Sequence, residues 1–242
     1  MLDIMALFRA MPGACAQGLV WGIMALGVYI TYKLLDFADL TVDSTLATGG
    51  AVAVMLILAG IPTPIALIGA AAAGGAAGFI TGFLHTVLGI PDILSGILTQ
   101  IAFYSVNLNI LGASNKSISV DQYPLVISLR YIPRAIIVTI IFISALAAIL
   151  YWFFGTEYGF TIRSTGCNPD MSRAQGVNTN KSKVVALIIS NAIVGLSGGL
   201  LAQYQGYADV GMGRCNCHRA RDWDRQQCKE TGSVQPLASL AE

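Results

Sequence analysis

Uncharged apolar runs alternate with short polar segments along most of this chain. Residues 135–154 read AIIVTIIFISALAAILYWFF and residues 184–202 read VVALIISNAIVGLSGGLLA. Each approaches the ~20 apolar residues that a ~30 Å hydrocarbon core requires. Further runs cover residues 14–30, 47–61, 64–88 and 93–111. The pattern predicts an all-α fold, a polytopic membrane helix bundle of about six spans. The run at 47–61 is short for a full span, so a broken helix is expected there.

Between the runs at 135–154 and 184–202 lies a polar segment, residues 155–183, expected as a loop at a membrane face. Asn168, Pro169 and Asp170 make a helix start. Asn accepts hydrogen bonds from free backbone NH groups, proline suits the first helical position, and an acid favours the positive helix end. Gly176 is a natural stop. A surface helix of roughly two turns over 169–175 follows, too short to cross the membrane.

These residues resemble a family. The run Glu157, Tyr158, Gly159, Phe160, Thr161, Ile162, Arg163, Ser164, Thr165, Gly166, with Asn168, Met171, Ala174, Gly176, Val177 and Asn178, looks like the cytoplasmic coupling loop of ABC-importer permeases of the branched-chain amino-acid class. The resemblance implies that Gly159, Arg163, Gly166, Asn168, Met171, Ala174, Gly176 and Asn178 form a coupling site, docked in a groove of a separate ATP-binding subunit. It also implies an extracytoplasmic solute-binding protein, a second permease subunit (a homodimer), a lipid environment, and a place in the plasma (inner) membrane. Cys167 departs from the pattern, standing where an acidic residue is more usual. An ordinary solvated loop is the alternative.

Composition sharpens the class. The chain is 55% hydrophobic and 11% charged, against roughly 25% charged in soluble domains. A net charge of +1 points to no nucleic-acid partner. Nine charged residues lie after Gly213, so the apolar part is poorer in charge than the total suggests. No phosphate-binding G-x-x-x-x-G-K-[ST] loop occurs, and no nucleophile, acid-base pair or cofactor motif is visible. The chain therefore reads as neither an enzyme nor an ATPase.

Candidate path residues come from polar groups inside or beside the apolar runs. Asp36, Asp39 and Asp43 crowd eight positions. They read either as a solvated connection or as an intramembrane site. The stretch Asp39, Leu40, Thr41, Val42, Asp43, then Gly49, Gly50, Ala51, resembles a tryptophan/tyrosine-type or uncharacterised subgroup of these permeases, in which this region is a broken helix near the translocation path. Gln100 and Asn107, seven positions apart, share a helix face, and read either as helix packing or as pore lining. Asn191 joins Gly195 and Gly199 in a small, polar stripe. Ala70, Gly74, Gly78 and Gly82 make another stripe, suited to close packing. His85 is expected at the interface, without a second metal ligand three or four positions away.

The domain expectation is a permease domain over 1–213 and an aberrant, disordered tail over 214–242. Cys215, Cys217, His218 and Cys228 lack zinc-site spacing, so no metal is assigned. Reading one base out of frame from the Cys215 codon permits an apolar run of the kind the family carries there. A frameshift from about Arg214 is therefore expected, with one or more spans absent; resequencing that codon tests it. Three function classes stay open: an ABC permease subunit for a small organic solute, amino-acid-like; a stand-alone carrier or channel; and an inactive, truncated relative.

Overall fold

The computed structural model describes residues 4–118 and 132–213, with side chains from 11 to 118 and from 136 to 213. Eight helices follow in order: α1 (Ile4–Tyr29), α2 (Val42–Leu58), α3 (Thr63–Thr86), α4 (Asp92–Leu111), α5 (Ile132–Phe154), α6 (Glu157–Cys167), α7 (Pro169–Ala174) and α8 (Thr179–Gln205). A π-helical turn, Ile30–Leu34, extends α1. The tail, 214–242, and residues 119–131 lie outside the described residues.

Five helices are long and apolar enough to cross a bilayer, and α2, at 17 residues, is the short one. The sixth crossing is the broken one. The chain leaves the π turn, runs outside any helix over 35–41, and re-enters a helix at Val42. At about 1.5 Å per residue the 17 residues of α2 alone fall short of a ~30 Å hydrocarbon core.

Of the five long helices α8 is the most enclosed and α5 the least. Small side chains explain the position of α8. A Cβ on Gly74 or Gly78 of α3 would meet the backbone carbonyl of Asn191 or Leu187, and one on Gly195 would meet that of Ala70. The two expected small-residue stripes therefore face one another across an antiparallel contact, where backbones approach closely. α1 packs on a second side of α8 by a polar ladder. Ser190 Oγ donates to the Gly27 carbonyl (2.7 Å), Ser197 Oγ to Val20 (3.0 Å) and Tyr204 Oη to Gly13 (2.8 Å). Donors and acceptors both recur every seven residues, the repeat of left-handed helix packing.

Two features differ from expectation. The segment 155–183 is not a loop with one short helix: Glu157–Cys167 forms a second helix, α6, because Glu157 favours its N-terminus and Gly159 permits tight packing on Phe154. The bundle also carries a two-stranded antiparallel ladder, β1 (Asn115–Ser117) with β2 (Tyr207–Asp209), pairing Lys116 with Ala208. It joins the end of α4 to the end of α8, opposite the end that carries α6 and α7.

Candidate functional site at the helix break

The break over 35–41 starts at Leu35 and contains Asp36 in the left-handed region (φ 52°). Phe37 N bonds back to the Thr31 carbonyl at 3.0 Å, which folds the chain inward. Asp39 then caps the approach to α2. Its Oδ1 accepts from Thr41 N at 2.9 Å and from the Thr41 hydroxyl. Its other oxygen accepts from Asn191 Nδ2 at 2.7 Å.

Asn191 is fully buried near the middle of the 27-residue α8, so Asp39 reaches the interior of the helix bundle. The amide orientation is set by its partners: Nδ2 also faces the Leu187 carbonyl at 3.2 Å, while Oδ1 accepts from Thr45 Oγ1 at 2.9 Å. A carboxylate at this depth is costly unless it is hydrogen-bonded. Here a side-chain amide, a backbone NH and a hydroxyl supply three donors.

On the other side of the first turn of α2, Asp43, Ser44, Gln100, Tyr104, Asn107, Val210, Gly211 and Gly213 line a small cavity of about 10 Å³. Asn107, fully buried, donates from Nδ2 to the Ser44 carbonyl over a long 3.4 Å, and its Oδ1 has no partner among the described residues. The structure thus brings Asp39 and Asn191 together on one side of α2, and Asp43, Gln100 and Asn107 together on the other. Thr41, Ser44 and Thr45 join the two groups; the sequence reading did not single them out. Their signal was a run of hydroxyl residues beginning an otherwise apolar helix.

The surface helices sit where α5 ends and α8 begins. Asn168 Oδ1 accepts from Asp170 N (3.1 Å) and Met171 N (3.0 Å), capping α7 as expected. Gly176, at φ 83°, ends the turn after it. Asn178 Oδ1 caps α8 through Lys181 N at 3.2 Å. Arg163, Met171 and Ala174 are exposed, Met171 at 60%. Gly159 and Gly166 face inward instead; a Cβ on Gly166 would meet the Leu34 carbonyl at the start of the break. Arg173 was not singled out, yet its Nε donates to Thr179 Oγ1 at 2.9 Å and ties α7 to α8. Among the described residues no group of three or more His, Cys, Asp or Glu side chains forms a metal site.

A membrane helix bundle with a broken second crossing, a hydrogen-bonded carboxylate at its centre and a capped surface helix at one end defines a polytopic transport-type membrane protein. Residues 12–215 match the family model described as branched-chain amino acid transport system / permease component, and the chain belongs to that family. It is 38% identical over 197 residues to a tyrosine transport system permease protein of Clostridioides difficile, covering 81% of this chain and 65% of that one. It is 31% identical over 153 residues to a guanosine ABC transporter permease protein of Bacillus subtilis, covering 58% and 43%. It is 31% identical over 180 residues to a D-allose transport system permease protein of Escherichia coli, covering 72% and 54%. The chain therefore spans about two thirds of the first relative's length and about half of the others'. No solved structure matches. The family is an integral membrane component of transport systems, not an enzyme, and resides in the inner membrane.

Proposed function

We propose that this chain is a membrane-spanning permease subunit of an ABC importer for a small organic solute, worked by a separate ATP-binding subunit. α7 carries the reading: it is capped by Asn168, exposed at Met171, preceded by the exposed Arg163 of α6, and bonded to α8 through Arg173. A surface helix with rigid ends is built to receive a push from outside the bundle. Gly166 against Leu34 and Arg173 on Thr179 would pass that push to the break and to α8. Asp39, Asp43, Gln100, Asn107 and Asn191 would line the path beside α2. An extracytoplasmic solute-binding protein would deliver the solute to the β1–β2 end, and a second copy of the chain would complete the path within the lipid. An amino-acid-like solute is supported by the tyrosine permease among the relatives.

The test is co-purification with the ATP-binding subunit encoded nearest to this chain, using the native sequence, Arg163→Glu and Gly176→Pro. Association that the two variants weaken supports the reading. A well-folded native chain that captures no ATP-binding subunit would instead favour a stand-alone carrier, which also places polar groups in a broken helix at mid-membrane.

A further inference from the structure

Three side chains from three helices meet at the end of the bundle that carries α6 and α7. His85 lies in the last turn of α3, Asp92 begins α4, and Lys183 follows the start of α8. The imidazole Nδ1 has two partners in reach, Asp92 Oδ1 at 2.9 Å and the Ile90 carbonyl at 3.0 Å. Carboxylate and carbonyl oxygens are both acceptors, so these partners assign the ring proton to Nδ1. Nε2 keeps its lone pair, and Lys183 Nζ donates to it from 3.0 Å. The neutral ring therefore bridges an acid and an ammonium group.

The ring is also wired to the break. Phe37 meets it edge to face, with centroids 5.2 Å apart at 81°. Phe37 is buried with Leu35, with Ile162 of α6 and with Ala186 and Leu187 of α8. Two residues after Phe37 comes Asp39, on Asn191. His85 thus touches, directly or through one ring, the segments that the proposed coupling would move.

We propose that His85 is a positioning residue that clamps α3, α4 and the first turns of α8 in its neutral, Nδ1-protonated form, and that proton uptake at Nε2 releases Lys183. The step needs only a proton from solvent. It turns Nε2 from acceptor into donor and sets a positive ring against a positive ammonium group. The charged groups facing the ring are Asp92 and Lys183; Asp36, which shares a cavity with Asp92, adds negative charge on the Asp92 side. From the break the ring also meets Phe37, which carries no charge. A protonated ring is therefore drawn toward α4 and repelled from α8.

The clamp stands on its own geometry, and its consequence for transport rests on the proposed permease function. The chain has two histidines, His85 and His218, so a His218→Gln chain in lipid nanodiscs, labelled with ¹⁵N-histidine, reports His85 alone. At pH 8.5 the spectrum should show a protonated Nδ1 and a bare Nε2, with the Nε2 signal moved by Lys183→Met. Hydrogen exchange of amides 182–187, corrected for intrinsic rates, should quicken by about threefold to tenfold at pH 5.5, as expected for local opening. His85→Gln keeps an acceptor toward Lys183 that does not titrate, and should hold exchange slow at both pH values. His85→Asn keeps only the donor toward Asp92, and should exchange fast at both. A proton on Nε2 at pH 8.5, or wild-type exchange with no pH step, overturns the clamp. Failure to bind the ATP-binding subunit with the signature intact would sink the permease reading and leave the clamp standing.

Discussion

Asp39 and Asn191, 152 positions apart, are joined by a 2.7 Å hydrogen bond at the centre of the bundle. The bond anchors the helix break to the most enclosed of the five long helices. Asn191→Ala would leave Asp39 Oδ2 and Thr45 without that partner. Losing a partner to a buried polar group costs ~1–3 kcal/mol, more for a charged one. The variant should unfold earlier in detergent, whereas Asn191→Gln or Asp39→Asn should lose less. A melting curve for Asn191→Ala that coincides with wild type would show that the bond contributes nothing.

The close contact of α3 with α8 depends on the absence of side chains at Gly74 and Gly78, where a Cβ would strike backbone carbonyl oxygens. Backbone cannot swing aside as a side chain can. Gly78→Val should therefore force the helices apart at a cost of about 1–3 kcal/mol, while Gly22→Ala, which faces open space, should be silent. Size-exclusion profiles after graded heating distinguish them, and equal behaviour would refute the contact.

Ser190, Ser197 and Tyr204 hold α1 by three bonds at a seven-residue repeat. Such interhelical bonds average ~0.6 kcal/mol in membranes. Each of Ser190→Ala, Ser197→Ala and Tyr204→Phe should be mild, and the triple variant should lose roughly 2 kcal/mol by their sum. A triple variant as stable as the native chain in the same detergent would mean the ladder adds no net stability.

Asn168 caps α7 with two backbone bonds. Asn168→Ala should weaken this six-residue helix by ~1 kcal/mol and lower capture of the ATP-binding subunit, with Asn168→Asp retaining most of it. Gly176→Ala strains a backbone at φ 83° by about 1–2 kcal/mol and should act in the same direction. Unchanged capture by both variants would remove α7 from the proposed contact.

The sequence by itself determined the membrane class, the positions of the long spans and the cap and stop of α7. Those properties are local: hydrophobic length, a capping side chain and a glycine in a left-handed turn act within a few residues of themselves. It also marked the break, since residues 47–61 are too short to cross alone. The helical character of 157–167 was masked by its glycines and polar groups, which read as a loop until Gly159 and Gly166 were seen against backbone.

Only the tertiary structure decided which polar residues meet. Asp39 finds Asn191 because α1 and α3 hold α8 beside the break, and the same packing leaves Asp43, Gln100 and Asn107 on the opposite side of α2. Ser190 and Ser197 looked like ordinary small residues until α1 supplied carbonyl oxygens at matching intervals. His85 looked solitary for the same reason: its partner Lys183 lies 98 positions away. Pairings across such separations depend on how helices cross, and no local pattern of polar and apolar residues carries that information.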